Sequence, residues 1–310
     1  MGSNNVIGID IGGTNLRVAL ISEHGEVQER VQFTSDREIV PTITGAIDDL
    51  KDDDTAGIGI AVAGIIDRRK NTVLFSPNLP SVEGIGLIHD LKKKYALPLF
   101  LDNDAHCAAL GEKYAGKGRD LDSFILMTLG TGVGGGIVQE DKLLDIPAEL
   151  GHMTVNLEGP KCTCGNHGCL EKHSAAKAIK AMAITALEEG EESSLKACCE
   201  GNIYKITPKT IYEHALEGDR LSKEILRTAR KYLGIAIADL TNIFHPPAFI
   251  LAGGLTSAWD IYIEEAIKEA DKRALHGLFH EEMVVVSDIK EDAGMIGAAP
   301  HTLVSNEHVF

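Results

Sequence analysis

No stretch of the 310-residue sequence reaches the roughly 18 consecutive apolar residues that a membrane-spanning helix needs. That absence excludes a helical membrane protein. No basic, apolar leader opens the chain either: the first apolar run, Val6 to Ile11, is short and carries Asp10. Basic residues are in deficit, 30 Lys and Arg against 46 Asp and Glu, for a net charge of −16. Such a surface argues against general affinity for nucleic acid or anionic lipid. It leaves room for phosphate ligands held by local backbone amides. There is no low-complexity linker, and no Gly-Lys-Ser/Thr completes a Walker A loop. Nothing suggests an oxidising compartment, so the six cysteines are expected as reduced thiols. Adjacent Cys198 and Cys199, read as part of a helical stretch, have poor geometry for an ordinary disulfide. A cytoplasmic location with no membrane or nucleic-acid partner is the expectation. The length and the 44% apolar content favour two domains with substantial cores.

What is present is concentrated between His152 and Glu171. This stretch carries His152, Cys162, Cys164 and Cys169. Three cysteines and one histidine form a closed tetrahedral zinc set. The glycine-rich turn Cys164-Gly-Asn-His-Gly-Cys169 lets the thiolates converge, with His167 as the alternative to His152. Buried structural cysteines usually sit singly in apolar runs, and this stretch is polar. Glu149 lies three residues before His152, and Glu171 two residues after Cys169. A structural metal there would fix both carboxylates around a hydroxyl-rich ligand. One imidazole nitrogen of His152 would face the metal and the other the ligand.

The elements read as two rounds. Val6–Ile11, Leu16–Ile21 and Val27–Phe33 are strands, the first two separated by Gly12-Gly13-Thr14-Asn15. A helix near residues 37–50 follows, with Pro41 in its first turns, then strand 56–62, helix 86–95 and strand 98–101. The second round opens with strand Phe124–Leu129, a turn over Gly130 to Gly136 and a strand from Ile137 to Glu140. Strand, glycine turn with threonine, strand is thus used twice, which suggests two related halves. Helices are expected over 219–244 and 261–275, strands over 248–252 and 283–286, and a last helix over 292–299 that Pro300 kinks or shortens.

The two glycine turns offer clustered N–H groups suited to phosphate oxygens. Asp10, Gly12, Gly13, Thr14 and Asn15 form one candidate ATP loop, and Gly130, Thr131 and Gly132 the other. Asp10 could hold Mg²⁺ through water. Gly253-Gly254, after a strand, suits close approach of a flat nucleotide. Leu101-Asp102-Asn103-Asp104 ends a strand and leads into helix 105–112. Asp102 or Asp104 could cap that helix. Asp104 is equally well placed to accept a hydroxyl proton, and it is our choice of base for a phosphoryl transfer.

Together these residues resemble the ROK family of bacterial sugar kinases and sugar-responsive repressors. Asp10-x-Gly12-Gly13-Thr14-x-x-Arg17 and Leu129-Gly-Thr-Gly-Val-Gly-Gly-Gly136 are similar to its phosphate motifs, and Asn103-Asp104 to its sugar-binding and catalytic pair. Glu149-x-x-His152 with Cys162-x-Cys164-Gly-x-x-Gly-Cys169-x-Glu171 resembles its zinc signature, and Leu251-Ala-Gly-Gly-Leu255 its adenosine-side motif.

The resemblance implies a two-lobed α/β fold of the actin-like, ribonuclease-H-like superfamily. Its lobes would be residues 1–105 with 292–310, and 106–291 carrying the zinc segment 152–169. It implies an ATP-dependent glucokinase in which Asp104 deprotonates the 6-hydroxyl of the hexose. Gly64, Asn78, Asn103, Glu149, His152 and Glu171 would hold the remaining hydroxyls. It implies Zn²⁺ and Mg²⁺ as metals and a homodimer or homotetramer. The alternatives are an N-acetylglucosamine or N-acetylmannosamine kinase and a non-catalytic sugar sensor. A repressor needs an N-terminal helix-turn-helix, for which a first strand at Val6 leaves no room. His106 departs from the asparagine common in glucokinase-like members, and Ile146-Pro147-Ala148 from the usual glycine-alanine run.

Overall fold

A computed structural model describes residues 4–13, 15–35, 39–68, 70–76, 79, 82–84 and 86–299. Thr14, Asn78 and Pro300 lie outside them. The first round contains β1 (Asn5–Ile11), β2 (Asn15–Ile21), β3 (Val27–Thr34), α1 (Ile39–Leu50), β4 (Thr55–Val62), β5 (Ile65–Asp67), β6 (Thr72–Phe75), α2 (Leu87–Lys94), β7 (Leu99–Asn103) and α3 (Asp104–Ala115). The second begins with β8 (Phe124–Leu129), β9 (Val133–Gln139) and β10 (Lys142–Leu143). It continues through α4 (Glu171–Ser174), α5 (Ala176–Glu188), α6 (Pro208–Leu216) and α7 (Arg220–Phe244). Last come β11 (Phe249–Ala252), α8 (Glu264–Asp271), β12 (Val284–Val286) and α9 (Ala293–Ala298).

The strands form two five-stranded sheets, ordered β3-β2-β1-β4-β7 and β10-β9-β8-β11-β12, and a β5-β6 hairpin. The two large sheets share one order: third, second, first, fourth, fifth. In the first sheet β1 runs antiparallel to β2 and parallel to β4, which is parallel to β7. Isoleucines alternate along β1, and Ile7, Ile9 and Ile11 are fully buried with Ile43 and Ile47 of α1 in the same core. Pro41 falls in the first turn of α1, where its missing N–H removes a donor that has no helical partner anyway.

The chain divides into two compact units: residues 1–126, 136–148 and 287–310, and residues 127–135 and 149–286. Within the first, α9 packs on α3. The approach is close: a Cβ on Gly297 would stand 1.6 Å from the Cys107 carbonyl oxygen, and one on Gly111 2.2 Å from that of Ala293. This packing carries α3 whole into the first unit, past residue 105 where the sequence reading divided the chain. In the second unit, α7 starts at Asp219, whose carboxylate accepts from Ser222 N at 2.8 Å, and stops at left-handed His245 before two prolines.

Three local expectations change. The second glycine turn is confined to residues 130–132, because β9 already starts at Val133 and Gly134 N donates to Thr128 Oγ1 at 3.0 Å. Cys198 and Cys199 are not helical: Cys198 is extended and Cys199 has φ +54°. Their sulfurs sit 3.6 Å apart as free thiols. The helix expected over 261–275 begins with a wide turn at Trp259–Ile263 and continues as α8 only to Asp271. No described helix is long and apolar enough to cross a membrane.

Candidate active site

The residues singled out from the sequence fall into two sets, one in each unit. The first comprises Asp10, Gly12, Gly13, Asn15, Gly64, Asn103 and Asp104. β1 and β7 run parallel on either side of β4, so their C-terminal ends carry Asp10 and Asn103 to one edge of the sheet. Gly12 N donates to Asn15 O at 2.9 Å, closing the turn between β1 and β2. The side-chain oxygen of Asn15 accepts from Gln32 at 3.2 Å.

The cap of α3 is neither Asp102 nor Asp104 but the residue between them. Asn103 Oδ1 accepts from Ala105 N at 2.8 Å and His106 N at 3.2 Å, while its amide nitrogen donates to the Gly64 carbonyl at 2.9 Å. Asp104 is thereby released from capping. Its Oδ1 accepts from Ala105 N at 2.9 Å. Burial raises the pKa of Asp104 above the usual carboxylate range, against the lowering effect of the Ala105 N–H and of His106. A carboxylate made more basic in this way is suited to take a proton.

Asp10 is pushed up to about 7. Burial is the largest cause and the charge of Asp104 the second; Arg17, 3.3 Å away, opposes both. Arg17 is held in turn by Glu291 at 2.8 Å. The raised acid favours the folded state below the unfolded pKa, and that contribution is lost as pH rises through about 7. Asp10→Asn therefore gains stability over the wild type as pH rises from about 4 to about 7, with a plateau beyond. The gain is at most about 4 kcal/mol. Urea unfolding at about pH 4 and about pH 8 checks this; equal differences at both pH values would show that Asp10 is not perturbed.

The second set comprises Gly130, Thr131, Gly132, Glu149, His152, Glu171, the three cysteines and Gly253-Gly254. Glu171 opens α4 and its Oε2 accepts from Val133 N at 3.1 Å. That oxygen would lie 2.2 Å from a Cβ on Gly132, so the glycine loop admits the carboxylate only because residue 132 has no side chain. Thr131 is exposed at the tip of this loop. Gly253 and Gly254 are exposed at the end of β11.

His152, Cys162, Cys164 and Cys169 bring one ligand atom each within 4.8 Å of one another. Cys162 Sγ lies 3.7 Å from His152 Nδ1, and Cys164 Sγ 3.6 Å from Cys169 Sγ. An ideal tetrahedron with bonds of about 2.3 Å has edges of about 3.8 Å, so these spacings fit zinc. Crowding of three thiols supports the same fit. Burial and its two neighbouring thiols push Cys169 up to about 12, a cost that a bound cation would remove. His167 is exposed and outside the group, whose histidine is His152. With Nδ1 beside Cys162, His152 Nε2 lies 4.0 Å from Glu149. The ring thus presents one nitrogen to the thiols and one to the carboxylate.

Beside the Asn103–Asp104 pair lies a cluster that the sequence does not mark as one: Arg68, Asp102 and His106. Asp102 is buried, with Arg68 Nε at 3.0 Å and His106 Nδ1 at 3.4 Å from its Oδ1. The available signal was the triplet Asp102-Asn103-Asp104 itself: two acids flanking an asparagine where β7 hands over to α3.

A family model described as the ROK family matches residues 6–305. A glucokinase of Thermotoga maritima is 36% identical, across 95% of this chain and 96% of that protein. A xylose repressor of Caldicellulosiruptor bescii is 29% identical, across 94% of this chain and 76% of the repressor. Among solved structures, a ROK family glucokinase from Streptomyces griseus in complex with glucose and AMPPNP matches with a TM-score of 0.84 at 30% identity. It covers 96% of this chain and 99% of that one. The mixed α/β fold is that of ROK sugar kinases, with the actin-like ATPase architecture. With the family model running almost end to end and a relative alike along nearly all of both chains, this protein belongs to the ROK family.

Proposed function

We propose that the protein is an ATP-dependent hexokinase that phosphorylates the 6-hydroxyl of glucose, with Asp104 as general base. The observation that carries this reading is Asp104 itself. It is freed from capping by Asn103, made more basic by burial, and coupled electrostatically to Asp10 at the first glycine turn. Likeness to glucokinases along the whole chain supports the same activity.

In this mechanism Asp104 accepts the proton of the 6-hydroxyl as that oxygen attacks the γ-phosphorus. Gly64, Asn103, Glu149, His152 and Glu171 bind the other hydroxyls and orient the sugar. The backbone amides of residues 12–15 and 130–132 hold phosphate oxygens, with Gly253-Gly254 against the nucleoside. Asp10 would hold magnesium through water, and the ion would supply charge neutralisation on the phosphates. His152, Cys162, Cys164 and Cys169 would hold zinc, which would supply rigidity to the segment between Glu149 and Glu171.

Coupled assay of ADP release with a panel of hexoses and Mg-ATP tests the reading. Glucose is expected to give a kcat/KM at least about tenfold above N-acetylglucosamine, N-acetylmannosamine or fructose. Preference for an N-acetylhexosamine would move the substrate and keep the chemistry. Sugar binding without ADP release from any hexose would identify a sensor.

A further inference from the structure

We infer that Arg68, acting through Asp102 and seconded by His106, is a positioning residue that holds the Asn103–Asp104 pair in its working geometry; this rests on the kinase reading of Asp104. All these residues lie in the first unit. Asp102, at the end of β7, is 1% exposed. Arg68 follows β5 directly, and its guanidinium grips that carboxylate along one side. Nε donates to Oδ1 at 3.0 Å, and Nη2 forms an ion pair with Oδ2 at 2.9 Å. Nη2 also donates to His106 Nδ1 at 2.6 Å, and Nη1 pairs with Asp145. An arginine nitrogen only donates, so Nδ1 accepts in this contact.

The consequence runs along the backbone. Asp102 Oδ1 accepts from Asn103 N at 2.7 Å, which fixes the peptide unit entering Asn103. Asn103 in turn caps α3 through two amides and reaches Gly64 through its side chain. Asp104 is the first residue of that helix. The sequence of contacts is therefore Arg68 to Asp102, to the Asn103 backbone, to the helix start that carries the base. A buried carboxylate without its cation partner turns toward other donors or takes up a proton, and either response loosens the Asn103 amide. Arginine suits the role because its planar fork fixes direction as well as charge, which lysine does not. Both bonds of Arg68 to Asp102 and His106 span more than thirty residues of sequence, so the β5-β6 hairpin is tied to the catalytic helix.

The test uses Arg68→Met, Arg68→Lys, His106→Asn and His106→Leu in the full chain. Arg68→Met is expected to lower kcat by about 10²-fold, the scale of a misplaced catalytic group. Arg68→Lys should lose about tenfold, since charge without the fork recovers part of the function. His106→Asn keeps an acceptor for Arg68 and should lower kcat less than His106→Leu does; equal losses would take His106 out of the network. A double-mutant cycle separates positioning from general damage. In the Asp104→Asn background, Arg68→Met should cost less than about threefold in residual turnover, because the group being positioned is gone. Full additivity in that cycle would overturn the inference. Hydrogen exchange of the peptide spanning residues 99–110 provides an arm independent of activity: Arg68→Met should speed exchange at the Asn103 amide, and unchanged exchange would also overturn it. If the wild-type chain phosphorylates no hexose, the kinase reading fails alone, and the exchange result still decides the positioning role.

Discussion

Asp104→Asn is expected to cut kcat by about 10³-fold while leaving hexose affinity within about threefold of the wild type. The substitution keeps almost everything but the proton acceptor. Asparagine Oδ1 can still accept from Ala105 N, the bond that Asp104 makes at 2.9 Å. Asn103, not Asp104, caps α3, so the helix start is untouched. What disappears is a carboxylate whose pKa burial has raised, and with it the proposed acceptor for the 6-hydroxyl proton. A second signature follows from the electrostatics. The charge of Asp104 is the second cause holding Asp10 at about 7, so its removal lowers the pKa of Asp10. NMR titration of the Asp10 carboxyl in the variant would show that shift. Steady-state kinetics with parallel calorimetric sugar binding decides the main point. A kcat within about fivefold of the wild type would remove Asp104 from the role of base.

The fold was legible where local pattern and buried pairing agree. The Ile-Gly-Ile-Asp-Ile run of β1, the turn at Gly12-Gly13 and the apolar run of β2 read directly as a hairpin, and the structure pairs Val6 with Ile21 through to Ile11 with Leu16. The internal repeat was visible over about fifteen residues only. Its full extent, one strand order used in both large sheets, depends on β4, β7, β11 and β12, whose pairings are non-local and leave no periodic trace. The β5-β6 hairpin escaped notice because its strands are three and four residues long and leave Ile65, Leu74 and Phe75 exposed, so no alternation marks them. Helix α5 escaped because alanines on several faces blur its stripe; its buried residues are only Ala178, Ile179, Ala183 and Leu187. At the site, the glycine turns and the cysteine spacing were readable because backbone conformation and metal ligation demand particular residue types. Arg68 was not, because nothing within a few residues of it marks a partner 34 positions away. Which of Asp102, Asn103 and Asp104 would cap α3 was equally beyond the sequence, since Asp and Asn are both good caps.

Cys164→Ala is expected to lose zinc and hexose affinity together, with Kd for the sugar rising by about 10²-fold and the far-UV spectrum of the rest of the chain nearly unchanged. The magnitude comes from hydrogen bonds to charged or polarised groups, each worth about 1.5–3 kcal/mol when correctly aimed. The segment from residue 152 to 171 is held by loop hydrogen bonds, such as Leu170 N to Met153 O at 2.9 Å and Gly168 N to Pro160 O at 3.0 Å, and has little regular structure. Its regular structure among the described residues is a three-residue turn at Leu150–His152, two isolated bridges and the start of α4. Cys164 is exposed, so its removal opens no large cavity, and the effect must pass through the metal. Without a tetrahedral ion, His152 Nδ1 has no cation to face. The ring is then free to turn, and Nε2 leaves its place 4.0 Å from Glu149. Glu171 is less exposed to the loss because Val133 N and the bare Gly132 still seat its carboxylate. The two carboxylates therefore separate in their response: Glu149→Gln should add little to Cys164→Ala, while Glu171→Gln should still weaken binding in that background. Metal content by emission spectroscopy, measured beside calorimetric sugar binding, gives the result. Retained sugar affinity in a zinc-free variant would mean that these four ligands brace a neighbouring loop and do not organise the sugar pocket.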